Sequence, residues 1–223
     1  MDYIIPVAVT VAVLVACYFI VRESDKTITV VDTLRDGKDD HINPETLPPS
    51  SNQPKGIELA YTAWIRIDDF TYRYGSQKII FVKGTPDLSI ACPALLIDAN
   101  TNVLLVKVDT FGVQETIPIV SVPAKKWIHF AINVNQTSID VYINGIAYAH
   151  HVLTNLPKQN TASLITSPDG GFAGKIARLE YHAKVLSETE ILSKAAERPP
   201  VGDEPDQVFP PYFSSSWFSQ TTA

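Results

Sequence analysis

The stretch WIHFAINVNQTSIDVYINGIAYAH, residues 127–150, alternates apolar and polar positions with a period of two, the repeat of an extended strand. Ile128, Phe130, Ile132 and Val134 share one face, and Trp127, His129, Ala131 and Asn133 share the other. After the polar turn Asn135-Gln136-Thr137-Ser138, the alternation resumes with Ile139, Val141 and Ile143 against Asp140, Tyr142 and Asn144. Asn144-Gly145 then supplies the two positive-φ residues of a type I′ hairpin turn. The spacing predicts a three-stranded antiparallel meander whose third strand starts at Ile146.

The same reading extends over the rest of the body. From Ile57 the chain offers IELAYTAWIRI, QKIIFVKG, PALLID, NVLLVKV and ETIPIVSV before the meander, and ASLITS and GKIARLEYH after it. Many short strands at near-even spacing, parted by turn residues, predict an all-β sandwich or barrel. One helical stretch stands out, Ser187 to Glu197, with Ser187 as N-cap and Glu190 at N3 in a capping box. Ile191, Leu192 and Ala195 are its candidates for packing on the sheet.

The N-terminus carries a different signal. From Ile4 to Val21 no residue is charged. As a helix this run would be about 27 Å long, near the hydrocarbon thickness of a bilayer. A cleaved signal peptide would begin with a basic n-region, but this chain begins Met1-Asp2-Tyr3. Leu14-Val15-Ala16-Cys17 resembles a lipoprotein box, yet the run stays apolar through Val21. We therefore expect a transmembrane anchor over residues 1–22 and a linker with a possible first strand (KTITVVD) over 23–56. Residues 57–198 then form the sandwich and 199–223 a tail. Arg22, Lys26, Arg35 and Lys38 all follow the run, which predicts a single-pass protein with its domain on the cytosolic side.

Charge and cysteine content narrow the classes further. With a net charge of −6, the chain has no basic stripe to neutralise phosphates, which argues against a nucleic-acid partner. Its two cysteines, Cys17 and Cys92, do not make a disulfide framework, because the first lies in the apolar run. The tail combines prolines with Phe209, Tyr212, Phe213, Trp217 and Phe218, too many aromatics for an idle segment. These five are the candidate partner-binding residues, whether they fold back over the sandwich or dock on a neighbour.

With these segments placed, the chain resembles a laminin-G-like domain of the concanavalin A-like lectin/glucanase superfamily. The resemblance rests on Tyr61-Thr62-Ala63-Trp64-Ile65-Arg66, Gln77 to Gly84, Trp127-Ile128-His129-Phe130-Ala131, and Tyr142-Ile143-Asn144-Gly145. Gly171-Phe172-Ala173-Gly174-Lys175-Ile176 and Val185 to Ile191 complete it, so that it runs from about Ile57 to Ala195. It implies a jelly-roll sandwich of two antiparallel sheets, with Trp64, Trp127 and the Ile/Val faces filling the layer between them. It also implies that Gly171 and Gly174 serve tight turns where a β-carbon would clash.

Chemistry is sparse in the strands. Glycosidases of this superfamily need two carboxyls placed across one sugar, and no strand here presents such a pair, so the chain is expected to be no enzyme. Calcium is the one cofactor to consider: Asp98, Asn100 and Asn102 alternate as at the start of a calcium loop. Val103, however, stands where such a loop requires glycine, and Ala177 replaces the family's acidic residue, so a plain hairpin turn is the simpler reading. His150 and His151 are adjacent on a strand and face opposite ways, and His129 is expected to be a hydrogen-bonded structural histidine. Asn135-Gln136-Thr137 is a glycosylation sequon at Asn135, usable only in a secretory lumen.

Two functions from different classes fit this pattern. One is a membrane-anchored, non-catalytic structural protein docked by its sandwich and aromatic tail to protein partners in a larger assembly, a virion with an internal membrane being one setting. The other is a lectin-like receptor or adhesion protein whose loops bind a glycan.

Overall fold

A computed structural model of the chain describes residues 27–44, 46–197 and 199. The anchor run, Cys17 and the five tail aromatics lie outside the described residues. In chain order the first strands are β1 (Thr27–Val31), β2 (Arg35–Asp36), β3 (His41–Ile42), β4 (Ser51–Gln53) and β5 (Gly56–Asp69). Then come β6 (Lys78–Gly84), β7 (Ala91–Ile97), β8 (Leu104–Val108) and β9 (Glu115–Ile119). The meander follows as β10 (Trp127–Asn135), β11 (Ser138–Ile143) and β12 (Ile146–Val152). β13 (Leu164–Thr166), β14 (Ala173–His182) and the helix α1 (Glu188–Ala196) complete the order.

Two antiparallel sheets form a sandwich. The larger runs β1-β14-β5-β10-β11-β12, with β2 added to β14 and β4 to β5, and the smaller runs β3-β13-β6-β7-β8-β9. Residues 27–53, read from the sequence as a connector with one possible strand, supply β1 to β4. β5 is long enough to pair with β10 over nine residues on one side and with β14 on the other. Its inward face, Leu59, Tyr61, Ala63, Ile65 and Ile67, meets Phe81, Leu95, Val106 and Leu164 of the smaller sheet in one apolar layer. Tyr61 stacks on Phe81 at 5.6 Å and tilts against Tyr181 at 5.1 Å. The meander turn forms as expected, with Asn144 at φ 51° and Gly145 at φ 81°.

The tryptophans do not fill the inter-sheet layer. Register sets this: Ala63 and Ile65 point inward, so Trp64 between them points out, opposite His129, whose ring it meets edge-on at 5.3 Å. Trp127 pairs with Arg66 and carries its guanidinium 5.7 Å from the ring centroid, again on the outer face. Gly171 does sit where a side chain cannot, at φ 46° with the Gly37 carbonyl 2.1 Å from where a Cβ would stand. Gly174 lies within β14 rather than in a turn, and there a Cβ would meet the Arg66 carbonyl at 2.1 Å.

The helix closes part of that outer face. Its capping box is complete: Ser187 Oγ accepts from the Glu190 N–H, and the Glu190 carboxylate accepts from the Ser187 N–H. Ile191 is buried with Ala60, Ala131, Tyr142 and Leu186, whereas Leu192 stays exposed, lying over Gly145 rather than on the sheet. The loop entering the helix is fastened by buried Asn133, whose Nδ2 donates to the Leu186 carbonyl at 2.8 Å. Its Oδ1 accepts from the Leu186 N–H at 3.2 Å. Replacing Asn133 with alanine strands both backbone groups in an apolar setting. It should lower unfolding free energy by about 2–4 kcal/mol in a urea melt, with the far-UV β signal retained.

Candidate ligand-binding site

One end of the smaller sheet gathers three connections: the loop from β6 to β7, the loop from β8 to β9, and the segment before β13. Between them lies a cleft of about 620 Å³, lined by Leu88, Ser89, Ile90, Asp109, Thr110, Gly112, Gln114 and Lys158 to Thr161. Short polar side chains shape each wall. Asp87 accepts from Thr85 Oγ1 at 2.5 Å and from both Ser89 N–H and Ser89 Oγ, and these bonds hold its carboxyl below the usual range. Thr110 Oγ1 donates to the Val113 carbonyl at 2.6 Å and accepts from Gly112 N–H at 3.0 Å.

Asp109 ties the walls together. One carboxylate oxygen accepts from Ala91 N–H at 2.7 Å, and the other accepts from Gln114 Nε2 at 2.8 Å. Gln114 Nε2 also donates to the Leu88 carbonyl at 3.0 Å, and the Lys158 N–H donates to the Asp109 carbonyl at 2.8 Å. What remains for a ligand, among the described residues, is the Gln114 side-chain oxygen, the Lys158 ammonium and the Thr161 hydroxyl, all exposed. Phe111, 72% exposed, stands in the chain between the lining residues Thr110 and Gly112. A smaller cavity of about 310 Å³ shares Gln159, Asn160 and Thr161 with the cleft and is lined further by Thr46, Leu47, Pro49 and Lys83.

A second ionisable group lies beneath α1. Glu180 on β14 bonds Lys194 of the helix, and His182 Nε2 stands 3.4 Å from it, in pairing range but too poorly aligned for a hydrogen bond. The His182 imidazole first, then the Lys194 ammonium, hold Glu180 down at about 2. His129 is buried and its Nδ1 has no hydrogen-bond partner, which departs from the expected bonded histidine. Burial, with the Lys194 charge adding, lowers it to about 4. This group pins the helix to the sheet, and its charges are matched among themselves.

The residues singled out from the sequence fall elsewhere. Asp98 caps the β7–β8 turn, at the opposite end of the sheet from the cleft. Its Oδ2 takes the Asn100 and Thr101 N–H groups, each at 3.1 Å, and Thr101 Oγ1 at 2.7 Å. Asn100 and Asn102 are exposed in that turn. Among the described residues no three His, Cys, Asp or Glu side chains gather as a metal-holding group. Asn135 ends β10, half-buried, with Ser138 Oγ on its carbonyl at 3.2 Å. His150 and His151 do part, His150 to Asp140 at 2.5 Å and His151 across to Glu115 of β9 at 2.7 Å. No sequence reading singled out the cleft residues, although two lysines bracketing the apolar strand IIFV were a visible anomaly.

The model of the Laminin_G_3 family, described as concanavalin A-like lectin/glucanases superfamily, matches residues 36–192. The chain belongs to this superfamily. A comparison with curated protein sequences finds no match. The binding domain of paraclostridial mosquitocidal protein 1 is similar in structure, with TM-score 0.57 and 14% identity over 77% of this chain and 45% of that one. The botulinum neurotoxin serotype D ligand-binding domain, solved in complex with N-acetylneuraminic acid, gives 0.55 and 12% over 77% and 45%. The receptor-binding domain of botulinum neurotoxin D gives 0.53 and 16% over 77% and 52%. The chain thus spans about half the length of each, and at such identities the likeness is one of fold.

Within this concanavalin A-like sandwich, His129 and Glu180 make folding stability depend on pH. The unfolded chain takes up a proton on His129 near 6.5 and the folded chain only near 4, so the stability its neutral form contributes is lost as pH falls between them. At about 1.4 kcal/mol per pKa unit, that loss reaches about 3 kcal/mol. Glu180 adds a lower limb, lost as pH falls from 4.5 towards about 2. Urea melts across this range should show both limbs, and His129→Phe should remove the upper one alone.

Proposed function

We propose that the chain is a non-catalytic, membrane-anchored binding module whose loop-end cleft holds a hydroxyl-rich ligand, a glycan. The observation that carries this reading is the division of labour in the cleft. Its one lining carboxylate, Asp109, spends both oxygens on Ala91 and Gln114, so it shapes the walls and has no partner acid with which to hydrolyse a glycosidic bond. The groups left facing out are an amide oxygen, an ammonium and a hydroxyl. Such a set of donors and acceptors suits sugar hydroxyls, and Leu88 and Ile90 offer apolar contact to a sugar ring. The fold shared with a toxin domain solved with N-acetylneuraminic acid supports the same class of ligand.

The apolar run Ile4 to Val21 supplies the anchor in this reading. Five residues, Arg22 to Lys26, separate Val21 from Thr27, at most about 20 Å of extended chain, so β1 would stand close to the bilayer. A second reading, docking in a larger assembly, draws on β12. This edge strand of the larger sheet exposes Ile146, Tyr148 and Val152, and among the described residues no strand pairs with its outer side. The readings part at the membrane. The basic residues after the run favour the cytosolic side and assembly, whereas a glycan ligand and use of Asn135 require the other side.

A glycan array probed with the full chain in detergent should show binding to a defined set of sugars. Lys158→Ala combined with Thr161→Ala should weaken it about tenfold or more at unchanged melting temperature. A folded chain that binds no glycan, while Tyr148→Asp releases it from a co-purifying protein, would overturn the glycan reading in favour of assembly.

A further inference from the structure

We infer that the cavity at Lys83, next to the cleft, is the seat for an anionic group, and that the glycan held here is an acidic sugar. This rests on the cleft being a sugar site and names the class of sugar. Lys83 and Lys78 stand at the two ends of β6, each projecting into the end of the inter-sheet layer. Both are buried, Lys83 at 5% exposure and Lys78 at 1%. Their surroundings differ. Lys78 Nζ donates to two carbonyls, Phe70 at 3.4 Å and Ala99 at 3.3 Å, and has the Asp98 and Asp69 carboxylates in its field.

Lys83 Nζ donates to one carbonyl, that of Ala162, and among the described residues its one acidic neighbour is the Cys92 thiol. That thiol is no counter-ion, because burial pushes it up to about 12. A buried ammonium with one neutral acceptor is costly, and the cost falls sharply when an anion completes its shell. The Lys83 amine is lowered by that burial, which is the state of a cation lacking a partner.

The cavity supplies the missing place. Lys83 lines it together with Thr46, Leu47, Pro49 and Gln159 to Thr161, and the Gln159 to Thr161 segment also lines the cleft. Asn160 is itself fixed, its Nδ2 on the Lys83 carbonyl at 2.9 Å and its Oδ1 accepting from Ala162 N–H at 3.1 Å. Its bonds hold the segment that carries the acceptor of Lys83. A carboxylate carried by a sugar ring at this shared segment would complete the shell of the ammonium. Neutral sugars would leave the lysine as it is.

The test uses the full chain in detergent with two matched probes, methyl glucuronide and methyl glucoside, and inorganic sulfate as a minimal anion. The Lys83 Cε–Hε NMR resonance, assigned by its loss in Lys83→Met, reports on the ammonium. Glucuronide and sulfate should shift this resonance and raise the pH at which it titrates, and the glucoside should not. Glucuronide affinity should fall as pH rises through the titration of free Lys83, with glucoside affinity flat over the same range. Lys83→Met should weaken glucuronide about tenfold or more and leave glucoside unchanged.

A Lys83 resonance indifferent to both anions at every pH would overturn the inference. So would equal affinity for the two sugars in the unmodified chain, and that result would leave the cleft as a sugar site. A resonance that answers to sulfate in a chain that binds no sugar would keep the anion seat and remove the glycan reading. The pH profile of the unmodified chain decides the matter even if Lys83→Met fails to fold.

Discussion

The register of β5 between β10 and β14 is the constraint on which the remaining structure hangs. Leu59, Tyr61, Ala63, Ile65 and Ile67 face the layer only while Phe130 stands opposite Ala63 and Ile176 opposite Ile65. A slip by one residue would send Trp64 and Arg66 inward and the aliphatic face out to solvent. The same register lines up His129 with Trp64 and Thr62 with Glu180, so the polar cluster beneath α1 is also set by it. Because that cluster holds the helix through Lys194 and Asn133 holds the loop before it, the part of the outer face beneath the helix is closed by consequence.

The smaller sheet has a different task. Its inward residues complete the layer, and its connections at one end build the cleft. These loops borrow little stability from the core, since they are braced by Asp87, Asp109, Thr110 and Asn160 through bonds to nearby backbone groups. Side chains that reach outward from such a frame can vary without disturbing the layer below. The sandwich is also tied shut along its far edge, where His151 of β12 meets Glu115 of β9. There Tyr148 accepts from the Val120 N–H at 3.0 Å and donates to its carbonyl at 3.1 Å. The cleft is therefore framed by loops whose ends cannot drift apart.

Much of the frame was legible in the sequence, because it is written in local signals. Period-two alternation gives strands, Asn144-Gly145 gives a turn of known hand, and Ser187 with Glu190 gives a helix start. The cleft was not legible, because Leu88, Asp109 and Asn160 are far apart in the chain and meet only through sheet topology. The tryptophans misled for a related reason: size suggests burial in the layer, but parity of position decides which face a side chain takes, and Trp64 is even where the inward set is odd. The surprise of His129 is of the same kind. A sequence shows a histidine on a strand, and only the packed structure shows that Trp64 and the helix leave its Nδ1 without a partner.

The place where the chain enters the sandwich bears on what the cleft can meet. Thr27 opens β1 opposite His182, and its hydroxyl lies 2.9 Å from His182 Nδ1. Just beyond His182, the Ala183 carbonyl takes the Ser51 N–H at 2.7 Å, and the neighbouring Ser50 Oγ donates to Gln159 at 2.8 Å. Gln159 lines both the cleft and the Lys83 cavity, so the entry of β1 and the two cavities share one end of the body. A tether fixed a few residues before Thr27 would turn that end towards the surface it is fixed to. Ligands offered by that same surface would then meet the cleft at high effective concentration, and a modest intrinsic affinity would suffice.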